Sequence, residues 1–103
     1  MSNSIYFILG LCMKSGNLLS GEFQCEKAVK KNKAKLVIIA KDASLNTKKL
    51  FKDKCNYRKI PIYEFGTKEQ LGKAIGKSPR SSLAVIDENF SLKLIKMLDS
   101  DRL

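Results

Sequence analysis

Residues 20–42 read SGEFQCEKAVKKNKAKLVIIAKD, and within them Gln24, Lys27 and Lys31 recur at intervals of three and four. On a helix that spacing forms one stripe, flanked here by Phe23 and Lys30. Lysine attracts phosphate whatever the sequence, whereas glutamine can pair directionally with a base edge. Gly21 and Glu22 stand where such a helix would begin, and a helix start presents free backbone N–H groups that can hold phosphate or accepting base edges. The plain alternative is a solvated charged face. The arrangement of donors is what points to nucleic acid.

Other chemistry is poorly served. The chain has no histidine for acid–base work. Asp87 and Glu88 fall at an expected helix start, where negative charge is favoured anyway. Asp42 follows a strong strand and reads as a turn residue ahead of a functional carboxylate. GKAIGKS, residues 72–78, resembles a phosphate-binding loop, but Gly72 and Gly76 enclose three residues where the motif needs four. It also closes a helix instead of joining a strand to one. Cys12, Cys25 and Cys55 are isolated, with no C-x-x-C pair, and are expected to be reduced and to pack as small apolar residues.

The 103 residues suit a single domain, residues 1–103, with one modest core. Lys and Arg outnumber Asp and Glu by 20 to 10, a net charge of +10 that suggests an anionic partner, nucleic acid ahead of a membrane surface. The opening MSNSIYFILGLCMKSG lacks a positive leader and is broken by Gly10, so it does not read as a secretory signal. No apolar run reaches the ~18 residues of a spanning helix. A cytoplasmic location is expected.

The elements that must position the basic stripe follow from periodicity. Ile5, Ile8, Leu9 and Cys12 give a first helix one apolar face, closed by Gly16. Leu18 and Leu19 suggest a very short strand, and Ser20 is expected to cap the next helix, whose Cys25, Ala28 and Val29 face the core. LVIIA, residues 36–40, is apolar throughout and reads as a strand covered on both faces. Ser44 starts a helix over about residues 45–57, with Phe51 and Cys55 inward. IPIYEF, residues 60–65, is a strand, with Pro61 near its start. Thr67 and Gln70 fit a capping box. Leu71, Ala74 and Ile75 form that helix's apolar face, and Gly76 ends it. SLAVI, residues 82–86, is the last strand. Asp87 or Asn89 then caps a helix with Phe90, Leu94, Ile95 and Leu98 inward. Strands alternating with helices imply a central sheet between helical layers.

With these segments in order, the sequence resembles the L-seven-Ae and L-thirty-e family of ribosomal and kink-turn RNA-binding proteins, and most of all its small bacterial YlxQ-type members. The likeness spans roughly residues 5–98 and rests on GLCMKSGNLLSGE, EKAVKKNKAKLVIIAKDAS, DKCNY, and IPIYEFGTKEQLGKAIGKSPRSSLAVID. It implies an α/β fold: a three-layer α/β/α sandwich around a mixed sheet of about four strands. It also implies a surface built from two places. One is the helix start, here Gly21, Glu22, Phe23, Gln24 and Lys27, with Lys30 and Lys31 beyond. The other is the loop before the last strand, here Lys77, Ser78, Pro79, Arg80 and Ser81. In the family, the helix start recognises sheared G·A pairs of a kinked RNA, and the loop covers a projecting base. Where the family often has asparagine this chain has Phe23. Gln24 stands where glutamate or glutamine is usual, and Lys27 matches.

The expectation is a non-enzymatic, ribosomal-type RNA-binding protein, monomeric, needing no cofactor or metal and binding no membrane. Its partners would be ribosomal or other structured RNA, and ribosomal or RNA-processing proteins. The alternatives are a protein-interaction module with weak RNA affinity and, through GKAIGKS, a nucleotide-using enzyme.

Overall fold

The computed structural model describes residues 2–101; Met1, Arg102 and Leu103, counted in the expected domain, lie outside the described residues. The elements alternate: α1 (Ser2–Lys14), β1 (Leu18–Ser20), α2 (Glu22–Lys30), β2 (Leu36–Ile39), α3 (Leu45–Arg58), β3 (Ile62–Glu64), α4 (Lys68–Ala74), β4 (Ser82–Val85) and α5 (Glu88–Asp101). The strands form one sheet in the order β1-β4-β2-β3. β4 runs antiparallel to both β1 and β2, while β2 and β3 are parallel. Helices α1, α4 and α5 pack together on one face, and α2 and α3 on the other. The chain is thus the expected three-layer sandwich with a mixed four-stranded sheet.

β2 shows why the layers hold. Leu36, Val37, Ile38 and Ile39 are each fully buried, as a run apolar at every position requires when both faces of a strand are covered. Phe51 and Cys55 of α3 and Leu94 and Leu98 of α5 belong to the same buried core. Among the described residues, no helix is long and apolar enough to cross a membrane.

The helix ends follow local chemistry closely. Asn17 N–H reaches Cys12 O at 3.0 Å and Gly16 N–H reaches Met13 O at 3.0 Å, a paired closure of α1. Ser44 Oγ accepts from Thr47 N–H at the start of α3. Thr67 and Gln70 complete a reciprocal box at α4. Asp87, and not Asn89, caps α5 by accepting from Phe90 N–H at 2.8 Å. The strands are shorter than the apolar runs suggest: Ala40, Phe65 and Ile86 lie just beyond β2, β3 and β4.

One expectation is corrected. Ser20 does not cap α2; it is the last residue of β1, and Gly21 is the N-cap. Gly21 N–H donates to Ser82 O at 3.1 Å, extending the β1–β4 ladder one residue further. The turn into the helix then needs φ 93° at Gly21, a conformation that side chains resist.

Candidate nucleic-acid interface

The start of α2 is bare. No side chain caps it, and the geometry of a helix leaves the N–H groups of Glu22, Phe23 and Gln24 without intrahelical acceptors. Glu22, which could fold back over them, is drawn away. Its Oε1 accepts from Thr47 Oγ1 at 3.3 Å, and Thr47 Oγ1 accepts in turn from Ser44 Oγ at 3.0 Å. The start of α3 therefore helps keep the α2 donors open.

The loop of residues 77–81 is held against this helix start from three directions. Arg80 N–H donates to Lys68 O at 3.0 Å, and Lys68 N–H donates to Asp42 Oδ1 at 2.8 Å. Asp42 is thus a structural anchor for α4. The Arg80 guanidinium spans to β1: Nε donates to Ser20 Oγ at 3.2 Å. Its Nη1 donates to Ser78 Oγ at 2.7 Å, Ser78 O at 3.0 Å and Pro79 O at 3.2 Å. Every one of these acceptors is neutral, so Arg80 is fixed in place without its charge being cancelled. Gly72 supplies the third constraint, because a Cβ there would lie 2.2 Å from Ser78 O. Helix α4 and the loop approach so closely that any other residue would force one of them to shift.

The two segments converge on one groove of about 500 Å³. Of the residues expected at the site, Gly21, Glu22, Phe23 and Gln24 line it from the helix side, and Pro79, Arg80 and Ser81 from the loop side. Ser20 and Thr47 complete it. Sequence reading missed Thr47 because its contact with Glu22 spans 25 residues of chain. Lys27 and Lys31 stand beside the groove along α2. Lys30 is turned to Glu26, at 3.3 Å. That pair was visible in the sequence as a Glu–Lys spacing of four. Lys77 and Ser78 are exposed on the loop outside the groove; Ser78 serves by holding Arg80.

Phe23 points outward, with 77% of its surface exposed. It does not pack into the core, although Cys25 two positions on is fully buried. An exposed aromatic ring among lysines can stack on a base.

The groups that would carry other chemistry have structural roles. Burial pushes the thiols of Cys12 and Cys25 up to about 12 and that of Cys55 up to about 11, so all three stay protonated and unreactive. In GKAIGKS, Gly76 at φ 73° ends α4 and Lys77 N–H bonds back to Gly72 O at 2.8 Å. The segment is a helix ending, and Gly72 serves close packing.

Residues 3–95 match the Ribosomal protein L7Ae/L30e/S12e/Gadd45 family, and the chain belongs to it. Among its relatives, RNA-binding protein YlxQ of Bacillus subtilis (strain 168) is 42% identical over 100 residues, covering 96% of this chain and 100% of that protein. RNA-binding protein YlxQ of Enterococcus faecium is 36% identical over 92 residues, covering 89% and 88%. A Bacillus halodurans C structure of unknown function superimposes with TM-score 0.90 at 41% identity, covering 92% of this chain and 96% of that one. A Giardia lamblia 15.5kD RNA binding protein has the same fold at 23% identity, with TM-score 0.81 and coverage of 96% and 88%.

Proposed function

We propose that this chain is a non-enzymatic RNA-binding protein that recognises a sharply bent, kink-turn-like RNA. The observation that carries the reading is the single groove in which the uncapped start of α2 faces the pinned Arg80 loop. Bent internal loops splay their base edges outward, whereas the deep groove of a regular RNA helix hides them. The bare N–H groups and Gln24 would read those edges, Arg80 and the lysines of α2 would meet phosphates, and Pro79 would cover a projecting base. The relatives named as RNA-binding proteins support the RNA-binding part of this reading. Ribosomal or other structured RNA in the cytoplasm fits this chemistry, with the chain acting as a monomer.

The test is a titration of a kinked RNA and a straight duplex of equal length. Gln24→Ala should cost on the order of 1–3 kcal/mol against the kinked RNA, by analogy with base readout in DNA grooves, and little against the duplex. Lys27→Ala should weaken both to a similar degree. Equal weakening of both RNAs by Gln24→Ala, or of neither, removes the start of α2 as the reading element.

A further inference from the structure

Phe23 borders not only the groove facing Arg80 but a second one on the outer side of α2, of about 360 Å³. Leu19 of β1 and Ala28 of α2 contribute an apolar floor, and Lys27, Lys31 and Lys33 surround it. β1 ends the sheet, so no further strand covers this side. Among the described residues no carboxylate lines the groove, and those three lysines form no ion pair, whereas Lys30, one step round the helix, is paired with Glu26. An exposed aromatic ring, an apolar floor and a ring of unpaired cations together match one kind of occupant. A nucleobase has a flat apolar face, and the phosphates on either side of it are anionic.

We propose that this outer groove is a subsite for one unpaired nucleotide flanking the bent RNA, with its base stacked on Phe23 and its phosphates on Lys31 and Lys33. This rests on the RNA-binding reading and extends it: the footprint runs past the kink, around the start of α2, to the free edge of the sheet. An acidic protein segment would satisfy the lysines but would leave the outward ring of Phe23 without a flat partner. Continuity with the Arg80 groove through Phe23 and Gln24 also favours RNA.

The experiment compares three forms of one kinked RNA by fluorescence anisotropy: blunt-ended, with a short abasic overhang, and with an adenosine overhang of the same length, each overhang placed at either end in turn. The abasic form keeps the phosphates and removes the bases. Affinity should rise from blunt to abasic through Lys31 and Lys33, and again from abasic to adenosine by roughly tenfold, the scale of one base–aromatic stack. Phe23→Ala should abolish the second step whatever it does to binding of the blunt RNA, Phe23→Tyr should preserve that step, and Lys33→Ala should reduce only the first. If the wild-type protein binds the blunt RNA but gains nothing from adenosine over abasic overhangs, the subsite is refuted while the RNA reading stands. If it binds none of the three, both fall. Phe23→Ala weakening all three forms equally would assign Phe23 to the kink itself and overturn the subsite. Micromolar saturation of the groove by adenosine monophosphate alone would reassign it to a free nucleotide, and overhang-independent competition by a poly-glutamate peptide would reassign it to an acidic protein segment.

Discussion

Helices α2 and α3 lie side by side on the same face of the sheet, and both are rich in lysine, yet their charges are in different states. On α3, Lys48 and Lys52 converge on Glu64 at 3.3 and 2.8 Å, Lys49 meets Asp53 at 3.2 Å, and Lys54 reaches Glu26 at 3.7 Å. Along α2 and the turn after it, Lys27, Lys31 and Lys33 meet no carboxylate among the described residues. Glu26 stands at the boundary, shared between Lys30 and Lys54. The net charge of the chain therefore does not locate its anion-binding surface. Between these two neighbouring helices, what differs is which lysines the fold engages: those of α3 are held on carboxylates, whereas Lys27, Lys31 and Lys33 stay open beside Phe23 and Gln24.

The most severe way to break this contrast is to release the loop that completes the α2 side. Gly72→Ala places a methyl group into Ser78 O and against Pro79 Cα, 2.9 Å away. Backbone atoms occupy that space, so the loop or the helix must move. Overpacking of this kind costs about 1–3 kcal/mol of stability, measured by chemical denaturation. Because the displaced loop carries Arg80, RNA affinity should fall further than with any single lysine substitution. Gly10→Ala is the control: its Cβ would lie 3.0 Å from Ala74 O, away from the groove, so it should cost less stability and leave RNA affinity unchanged. Unchanged RNA binding in a folded Gly72→Ala protein would mean that the loop's position does not matter to the site.

A milder test sharpens the contrast directly by comparing two double substitutions of equal charge change. Lys27→Ala with Lys31→Ala should flatten the salt dependence of RNA binding, the slope falling by about one for each phosphate no longer neutralised. Lys49→Ala with Lys52→Ala should leave that slope where it is, because those lysines already neutralise carboxylates. Equal changes in slope from the two pairs would show that ion pairing on α3 does not withhold its lysines from RNA.

The same contrast shows which features were legible in sequence. Local signals carried the fold: the unbroken apolar run of β2, the Thr67–Gln70 box and the Asp87 cap each act within a few residues and appear where their chemistry puts them. The Ser20 expectation failed by one position because Ser and Gly are both acceptable N-caps. The tie was broken at long range, by Gly21 N–H pairing with Ser82 O across the sheet. The orientation of β4, antiparallel to both neighbours, was likewise invisible to periodicity. At the site, the stripe of Gln24, Lys27 and Lys31 was readable from spacing. That Arg80 would be pinned to Ser20, 60 residues earlier, was not. Nor was the tethering of Glu22 by Thr47, which only the packing of α2 on α3 produces.

The smallest effect expected lies on the α3 side and concerns Glu64. The hydrogen bond from Lys52 is the largest influence holding its carboxyl below the ordinary value of 4.5; partial burial opposes this, and Lys48 adds to the lowering. A carboxyl depressed in the folded state contributes stability that is present above its unfolded value and lost as pH falls through the folded one. Glu64→Gln should therefore destabilise the protein at neutral pH by roughly 0.2–1 kcal/mol, the usual scale for partly exposed ion pairs. The gap from wild type should narrow as pH falls below about 4.5, measured by denaturation across the acid range. The substitution also frees Lys48 and Lys52 without adding a cation. If pairing is all that separates α3 from the RNA surface, Glu64→Gln should strengthen RNA binding and steepen its salt dependence. If the separation is one of position, with Lys48 and Lys52 facing β3 and away from the groove, affinity should stay unchanged while stability falls. The geometry favours the second outcome: Lys48 and Lys52 meet at the end of β3, the strand at the opposite edge of the sheet from β1 and its basic groove.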